Sequence, residues 1–303
     1  MRVVHIGDLH FWTLPRNPFV LFNKRTLGVG NLILGGRYRR FRQEKHPILV
    51  QRLTEVSPDL FLFSGDLSTT AFAAEFKMAA SALQPAVIGK SAFAVPGNHD
   101  GYIRRELQAR TMKAALEPAI GVIGEHGRII ESIPETLILA LNATASNGLL
   151  GSHGLITSEH LQIALAMEKV ASAASIRQVM VLCHFPPETP APLLKHQRGP
   201  QLLNAKPLLE IIARLRKPTL WLHGHDHYRW IYGSPSVPNL HYLNGGAPMM
   251  RMFGKAPDLG FHEIKFEPGC ATVTTHSFDG QQWKRRPVSY PAAGEYIDLQ
   301  KQE

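Results

Sequence analysis

The chain has 303 residues, of which 44% are hydrophobic and 19% charged. Those proportions are ordinary for a soluble globular protein and exclude a disordered, collagen-like or coiled-coil chain. The formal charge is +9, yet residues 1–50 hold nine basic and two acidic side chains while the rest hold 24 and 22, so a near-neutral body carries one basic segment.

In chain order, Arg2–Ile6 reads as a buried strand and 47–56 as a helix with Pro47 at its start, where a missing N–H costs nothing. A strand is expected over 59–64, an Ala-rich helix over 71–83, a strand over 91–95 stopped by Pro96, and a charged amphipathic helix over 102–116. A strand over 137–141 and a helix over 158–170 follow, with Ser158 as its N-cap. Then come a strand over 179–183, a helix over 207–215 and a strand over 219–222. After Tyr228 short strands dominate, at 229–232, 239–243, 261–266 and 271–276. This alternation followed by a strand-rich end predicts an α/β layered domain over 1–286. Residues 11–46 interrupt the alternation as a basic, apolar insertion without regular structure, and such long connections are usually functional. The Pro-rich stretch 287–303 is expected to be a loosely attached C-terminal tail.

Cys183 and Cys270 are too few for a disulfide framework, which points to a reducing compartment. No run of 18 apolar residues exists, and the opening MRVVHIGDLH lacks the apolar core of a signal peptide. The expected location is therefore cytoplasmic.

Ligands in open α/β sheets bind beyond the carboxyl ends of the strands. Five successive strand ends deliver Gly7-Asp8-Leu9-His10, Gly65-Asp66, Pro96-Gly97-Asn98-His99-Asp100, His184, and His223-Gly224-His225-Asp226-His227. Each segment alone reads as a turn or a satisfied interior group. Together they form a coherent donor set of carboxylates, an amide and imidazoles, which suits manganese, iron, zinc or nickel.

The ordered set Asp8-x-His10, Gly65-Asp66, Gly97-Asn98-His99-Asp100, His184 and Gly224-His225-x-His227 resembles the calcineurin-like metallophosphoesterases. The resemblance runs from the first strand to about His227. It implies a four-layer α/β/β/α sandwich and a dinuclear centre of two divalent metal ions, manganese first. One ion would be held by Asp8, His10, Asp66 and His227, and the other by Asp66, Asn98, His184 and His225, with Asp66 bridging. A hydroxide bridging the metals would be the nucleophile, His99 would serve as general acid, and Asp100 would orient it. Such a centre keeps a small positive charge and attracts phosphate. His225 and His227 are expected to reach different metals if the segment is turned by Gly224.

Serine/threonine protein phosphatases of this superfamily carry GDxHG, GDxVDRG and GNHE, whereas this chain has GDLHF, GDLST and GNHD. The segments are more similar to a bacterial branch that includes class III cyclic nucleotide phosphodiesterases and UDP-2,3-diacylglucosamine pyrophosphohydrolases. The insertion separates these two readings. Its apolar residues 19–22 and 27–34 are interleaved with Lys24, Arg25, Arg37, Arg39, Arg40 and Arg42, a pattern suited to an anionic membrane surface or an acidic substrate. A solvated lid is the plainer interpretation. The favoured substrate is a small phosphoester or pyrophosphate, leaning to a lipid-nucleotide pyrophosphate such as UDP-2,3-diacylglucosamine. The alternative is a cyclic nucleotide. A nuclease is disfavoured by the near-neutral remainder, and a non-catalytic scaffold by the filled ligand positions. Lys195, His196 and Arg198 read as solvated loop residues, and Cys183 as a small core hydrophobe.

Overall fold

Alternate residues of the central strands face two different cores. In a computed structural model describing residues 1–15, 25–101, 105–145, 151–194, 201–251, 259–267 and 270–300, strand β1 (Arg2–Ile6) turns Val3 toward one core and Val4 and Ile6 toward another. Strand β2 (Leu60–Phe63) does the same with Leu60 and Leu62 against Phe61 and Phe63. A sheet buried on both faces needs cover on both, and the elements supply it.

The order continues from β1 through α1 (Arg25–Ile33), two 3-10 turns (Arg37–Arg39 and Gln43–Lys45), α2 (His46–Val56), β2, α3 (Ala73–Val87), β3 (Ser91–Ala94), α4 (Arg105–Leu116) and β4 (Gly121–Val122). Next come β5 (Gly127–Ile133), β6 (Thr136–Leu141), β7 (Gly154–Leu155), α5 (Ser158–Ala171), β8 (Gln178–Leu182), α6 (Ala191–Leu194), β9 (Leu202–Leu203), α7 (Lys206–Leu215) and β10 (Thr219–His223). The chain ends through β11 (Arg229–Gly233), β12 (Leu240–Gly245), β13 (Leu259–Glu267), β14 (Cys270–Phe278), β15 (Trp283–Val288) and β16 (Tyr296–Asp298).

One sheet runs β15-β14-β13-β1-β2-β3-β4 and the other β16-β11-β12-β10-β8-β6-β5. Their facing sides share a core that includes Val3, Leu62, Ile138, Met180, Leu222 and Ile264. Helices α2, α3 and α4 cover the outer face of the first sheet, and α5 and α7 that of the second. The result is the expected four-layer α/β/β/α sandwich. In each sheet the central strands are parallel and flush: Ile6 pairs with Phe63, Leu182 with Leu222, and His223 with Asn244. Their carboxyl ends therefore release the motif loops at one edge.

Three expectations change. The insertion is not structureless, because α1 and the two 3-10 turns lie within it, while residues 19–22 fall outside the described residues. It is anchored by a small apolar cluster of Leu32, Phe41, Ala247 and Met250 and by Arg42 N–H donating to the Met249 carbonyl at 2.8 Å. Helix α5 is capped by Thr157, in extended conformation, whose N–H donates to His160 Nδ1 at 3.0 Å; Ser158 is the first helical residue. The C-terminal stretch is not loose, since β15 runs to Val288 and β16 pairs antiparallel with β11. Pro287 is tolerated because β15 is an edge strand. Cys183 is buried, and burial pushes its thiol up to about 12, in keeping with an inert core residue.

Candidate metal centre

Beyond β1 and β2 the two loops remain zipped together. Asp8 N–H donates to the Gly65 carbonyl, His10 N–H to the Asp66 carbonyl and Phe11 N–H to the Leu67 carbonyl, each at 2.9 Å. Asp8, His10 and Asp66 adopt left-handed backbone with φ of 50°, 50° and 52°. His225 and His227 do the same, at 76° and 65°. Such values are costly for residues bearing a Cβ and concentrate where surrounding structure imposes them for function. The segment from His225 to His227 is therefore not extended. His225 and His227 diverge because each sits on a left-handed turn, not because the segment is extended.

Glycines make room for the carboxylates. A Cβ at Gly97 would collide with Asp66 Oδ1, and one at Gly224 with Asp8 Oδ2. The Asp8 carboxylate accepts the His225 N–H at 3.0 Å, joining a loop of the first sheet to one of the second.

The expected ligands fall into two groups that meet at Asp66. In the first, His10 Nε2 lies 3.0 Å from His227 Nε2, 3.8 Å from Asp8 Oδ1 and 3.9 Å from Asp66 Oδ2, and His227 Nε2 lies 3.5 Å from Asp8 Oδ1. Donor atoms from these four residues all fall within 4.8 Å of one another. In the second, Asn98 Oδ1 is 3.0 Å from His184 Nε2 and 2.8 Å from His225 Nδ1, while His184 Nε2 is 3.4 Å from Asp66 Oδ2.

The arrangement fits a pair of divalent cations. Asp66 Oδ1 is occupied by the His99 N–H at 2.8 Å, whereas the buried Asp66 Oδ2 makes no well-formed hydrogen bond and lies between the groups. His184 Nδ1–H donates to the Ser64 carbonyl at 2.7 Å, which fixes the tautomer and leaves Nε2 facing Asn98 and Asp66. Burial holds the imidazoles of His10 and His225 well below the usual histidine range and brings His227 to about 3, so their nitrogens carry free lone pairs. Burial likewise raises the Asp8 carboxyl well above its ordinary value. Against the cost of burial, His184 and then His99 hold Asp66 well below the carboxylate range, and Asp66 and Asp8 lift His184 to about 9. Without a metal, a proton on His184 thus balances Asp66, a place a cation would take.

The remaining residues divide by role. His99 Nδ1–H donates to the Thr69 carbonyl at 2.7 Å, and its ring stands edge-on to His10 with centroids 5.0 Å apart. Asp100 does not act as the expected orienter of that ring. Its oxygens accept the N–H groups of Leu67, Ser68 and Gly97 and the Ser68 hydroxyl, so it clamps the Asp66 and Asn98 loops together. His223 stays on its strand and bonds the Gly224 carbonyl. Sequence reasoning missed Ser64, Thr69 and Asn244; the Asn244 amide donates to the Gly224 carbonyl at 2.9 Å and steadies the His225 loop. Lys195, His196 and Arg198 lie outside the described residues. Arg37, Arg39, Arg40 and Arg42 lie together at the rim, in and beside the 3-10 turns, but differ in their partners.

A model of the calcineurin-like phosphoesterase family matches residues 1–229. No curated protein matches the chain. Solved structures similar to it include a single mutant of Vps29 from Entamoeba histolytica, at 11% identity and TM-score 0.40, covering 96% of this chain and 100% of that one. Haemophilus influenzae NAD nucleotidase is similar at 13% identity and TM-score 0.44, covering 95% of this chain and 53% of that one. The 5'-nucleotidase from Candida albicans is similar at 14% identity and TM-score 0.41, covering 96% and 51%.

Proposed function

Because the chain belongs to the calcineurin-like phosphoesterases, hydrolases of phosphoester bonds, we propose that its site is dinuclear and cleaves a phosphodiester or pyrophosphate. Asp8, His10, Asp66 and His227 would hold one cation, and Asp66, Asn98, His184 and His225 the other. The observation that carries this reading is Asp66 Oδ2, buried, without a well-formed hydrogen bond and shared by both groups. The mix of hard oxygen donors and imidazoles favours Mn²⁺, with iron, zinc or nickel as alternatives. Two cations there would polarise the phosphoryl oxygens and acidify water into a nucleophile near neutral pH. His99, anchored through Nδ1 to Thr69, would protonate the leaving oxygen from Nε2 in its imidazolium form.

For the substrate we favour a pyrophosphate that joins a nucleotide to a lipid, with UDP-2,3-diacylglucosamine the leading candidate by resemblance. The insertion supports this reading. Leu34 is 91% and Ile33 46% exposed at the end of α1, beside the arginines of 37–42. Apolar tips among cations suit contact with an anionic bilayer. Among the described residues no helix is long and apolar enough to cross a membrane.

The test is a hydrolysis panel with the Mn²⁺-loaded protein on bis-p-nitrophenyl phosphate, cyclic AMP, a UDP-linked diacyl sugar and single-stranded DNA. Metal-dependent cleavage of the first and third is expected. Cleavage of cyclic AMP with none of the diacyl sugar would replace the substrate reading. No cleavage of any, with two metals bound, would overturn the catalytic one.

A further inference from the structure

A row of polar side chains crosses the apolar layer between the two sheets at its metal-side end. Val3 of β1, Ile264 of β13 and Val273 of β14 face that layer, and two residues from each, on the same side of the strand, stand His5, His262 and Thr275. His5 pairs with His262, and His262 with Thr275, across the strands, and the two imidazoles stack with centroids 5.9 Å apart. All three residues are buried. Polar groups placed in such a layer are costly unless they are hydrogen-bonded, so their partners show what they hold.

His262 is bonded at both nitrogens. Burial brings it to about 3, so its ring is neutral. Its Nε2–H donates to the Asn244 carbonyl of the opposite sheet at 2.8 Å, and its Nδ1 therefore accepts the Thr275 hydroxyl at 3.0 Å. Asn244 is fixed in turn: its Oδ1 accepts the Gly246 N–H at 2.7 Å while its Nδ2 donates to the Gly224 carbonyl at 2.9 Å. Gly224 leads directly into His225, whose left-handed backbone needs support from its surroundings and whose Nδ1 lies 2.8 Å from Asn98 Oδ1. His5 serves the same group by another path. Its Nε2 lies 3.0 Å from the Ser64 hydroxyl, and the Ser64 carbonyl accepts the His184 Nδ1–H. Both paths from the row thus end on His225 and His184. Asp8 and His10 are supported separately, by their own backbone bonds to Gly65 and Asp66.

We propose that His262 is a positioning residue for the second donor group: acting through Asn244 and Gly224, it sets the turn that brings His225 to Asn98 and His184, and so sets the affinity of one cation of the pair and not of the other. The inference rests on the dinuclear reading and deepens it.

The experiment titrates Mn²⁺ into the metal-stripped protein by calorimetry and follows the electron paramagnetic resonance of the bound ions. The native protein should take up two ions that form a spin-coupled pair. His262→Phe, which keeps a ring but cannot donate, should bind one ion as the native protein does. It should bind the other roughly ten- to a hundredfold more weakly, the usual effect of losing a partner behind a metal ligand, and the coupled signal should give way to that of isolated ions. His262→Gln, whose amide nitrogen can make the same bond, should recover most of the lost affinity. Thr275→Val should weaken the same ion to a smaller degree, and carries the comparison if His262→Phe does not fold. Met167→Ala, which removes a buried side chain of α5 far from this row, should lower stability and keep both ions at native affinity. A single ion or none in the native protein would overturn the dinuclear reading and this one with it. Two ions in the native protein, with unchanged affinities in His262→Phe and Thr275→Val, would overturn this proposal alone. Equal weakening of both ions, no recovery in His262→Gln, or the same loss in Met167→Ala would do so too.

Discussion

The His99 backbone N–H occupies one oxygen of Asp66, at 2.8 Å, and leaves the other oxygen to the space between the two donor groups. The residue proposed for proton transfer is therefore held in place by the carboxylate proposed to bridge the metals. Asp66→Ala should lose both ions and lower turnover by roughly 10³-fold or more, the scale of removing a central electrostatic stabiliser. Elemental analysis of the purified variant checks this, and two retained ions would refute the bridge.

His99→Ala separates chemistry from metal binding. The variant should keep the native metal content while turnover falls by about 10²–10⁴-fold, the usual scale of a general acid. A p-nitrophenolate leaving group needs little protonation, so the loss on that substrate should be smaller. Equal losses for good and poor leaving groups would assign His99 to phosphate binding.

Metal affinity should depend on pH with a definite sign. His184 is lifted to about 9 in the metal-free protein, and burial also raises Asp8, so metal uptake must release protons. Below pH 9 the His184 proton alone should weaken binding about tenfold per pH unit. Calorimetry in buffers of different ionisation enthalpy measures the released protons, and binding of Mn²⁺ that is flat between pH 7 and 9 would contradict the charge balance.

Glu75 predicts a stability effect remote from the metals. It is fully buried and accepts hydrogen bonds from Thr70 N–H and Oγ1–H, both at 2.8 Å, yet burial raises its carboxyl from 4.5 to about 7. Between those values the folded chain holds the proton and the unfolded chain does not. The contribution is therefore complete below pH 4.5 and is lost as pH rises to 7, a change of about 3 kcal/mol. Urea unfolding of the native protein and Glu75→Gln at pH 5 and 8 should show the native protein losing ground to the variant at the higher pH.

If the insertion meets a bilayer, Ile33→Ser with Leu34→Ser should reduce binding to phosphatidylserine vesicles at all salt concentrations. Arg39→Gln with Arg40→Gln should weaken it by about fivefold per arginine and flatten its salt dependence. Vesicle co-sedimentation tests both. Native binding absent at low salt would remove the membrane from the proposal.

The core strands, most of the helices and the placing of seven candidate donors at the strand ends were legible in the sequence, because period-two burial and the residues following each strand are local signals. Other features were not. Strand β16 has no marked pattern and exists because Tyr232 and Ile231 of β11 offer it an edge. The helix in the insertion is stabilised from outside, by Ala247 and Met250 packing on Leu32 and Phe41. Asp100 has the same neighbours in sequence whether it orients His99 or clamps two loops; the N–H groups of Leu67 and Ser68, on another loop, decide it.

Which donors are available, and in what order the strands deliver them, follows from the order of residues along the chain. Only the folded arrangement decided how they converge. His184 takes its tautomer from Ser64, 120 residues away, and Asp8 meets His225 across 217, each through a hydrogen bond between loops that lie together only once the strands are aligned. Left-handed turns at Asp8, His10, Asp66, His225 and His227 then turn side chains from both sheets toward one point. Asp and His tolerate left-handed backbone better than most side chains, yet the conformation still costs energy that the surrounding packing supplies.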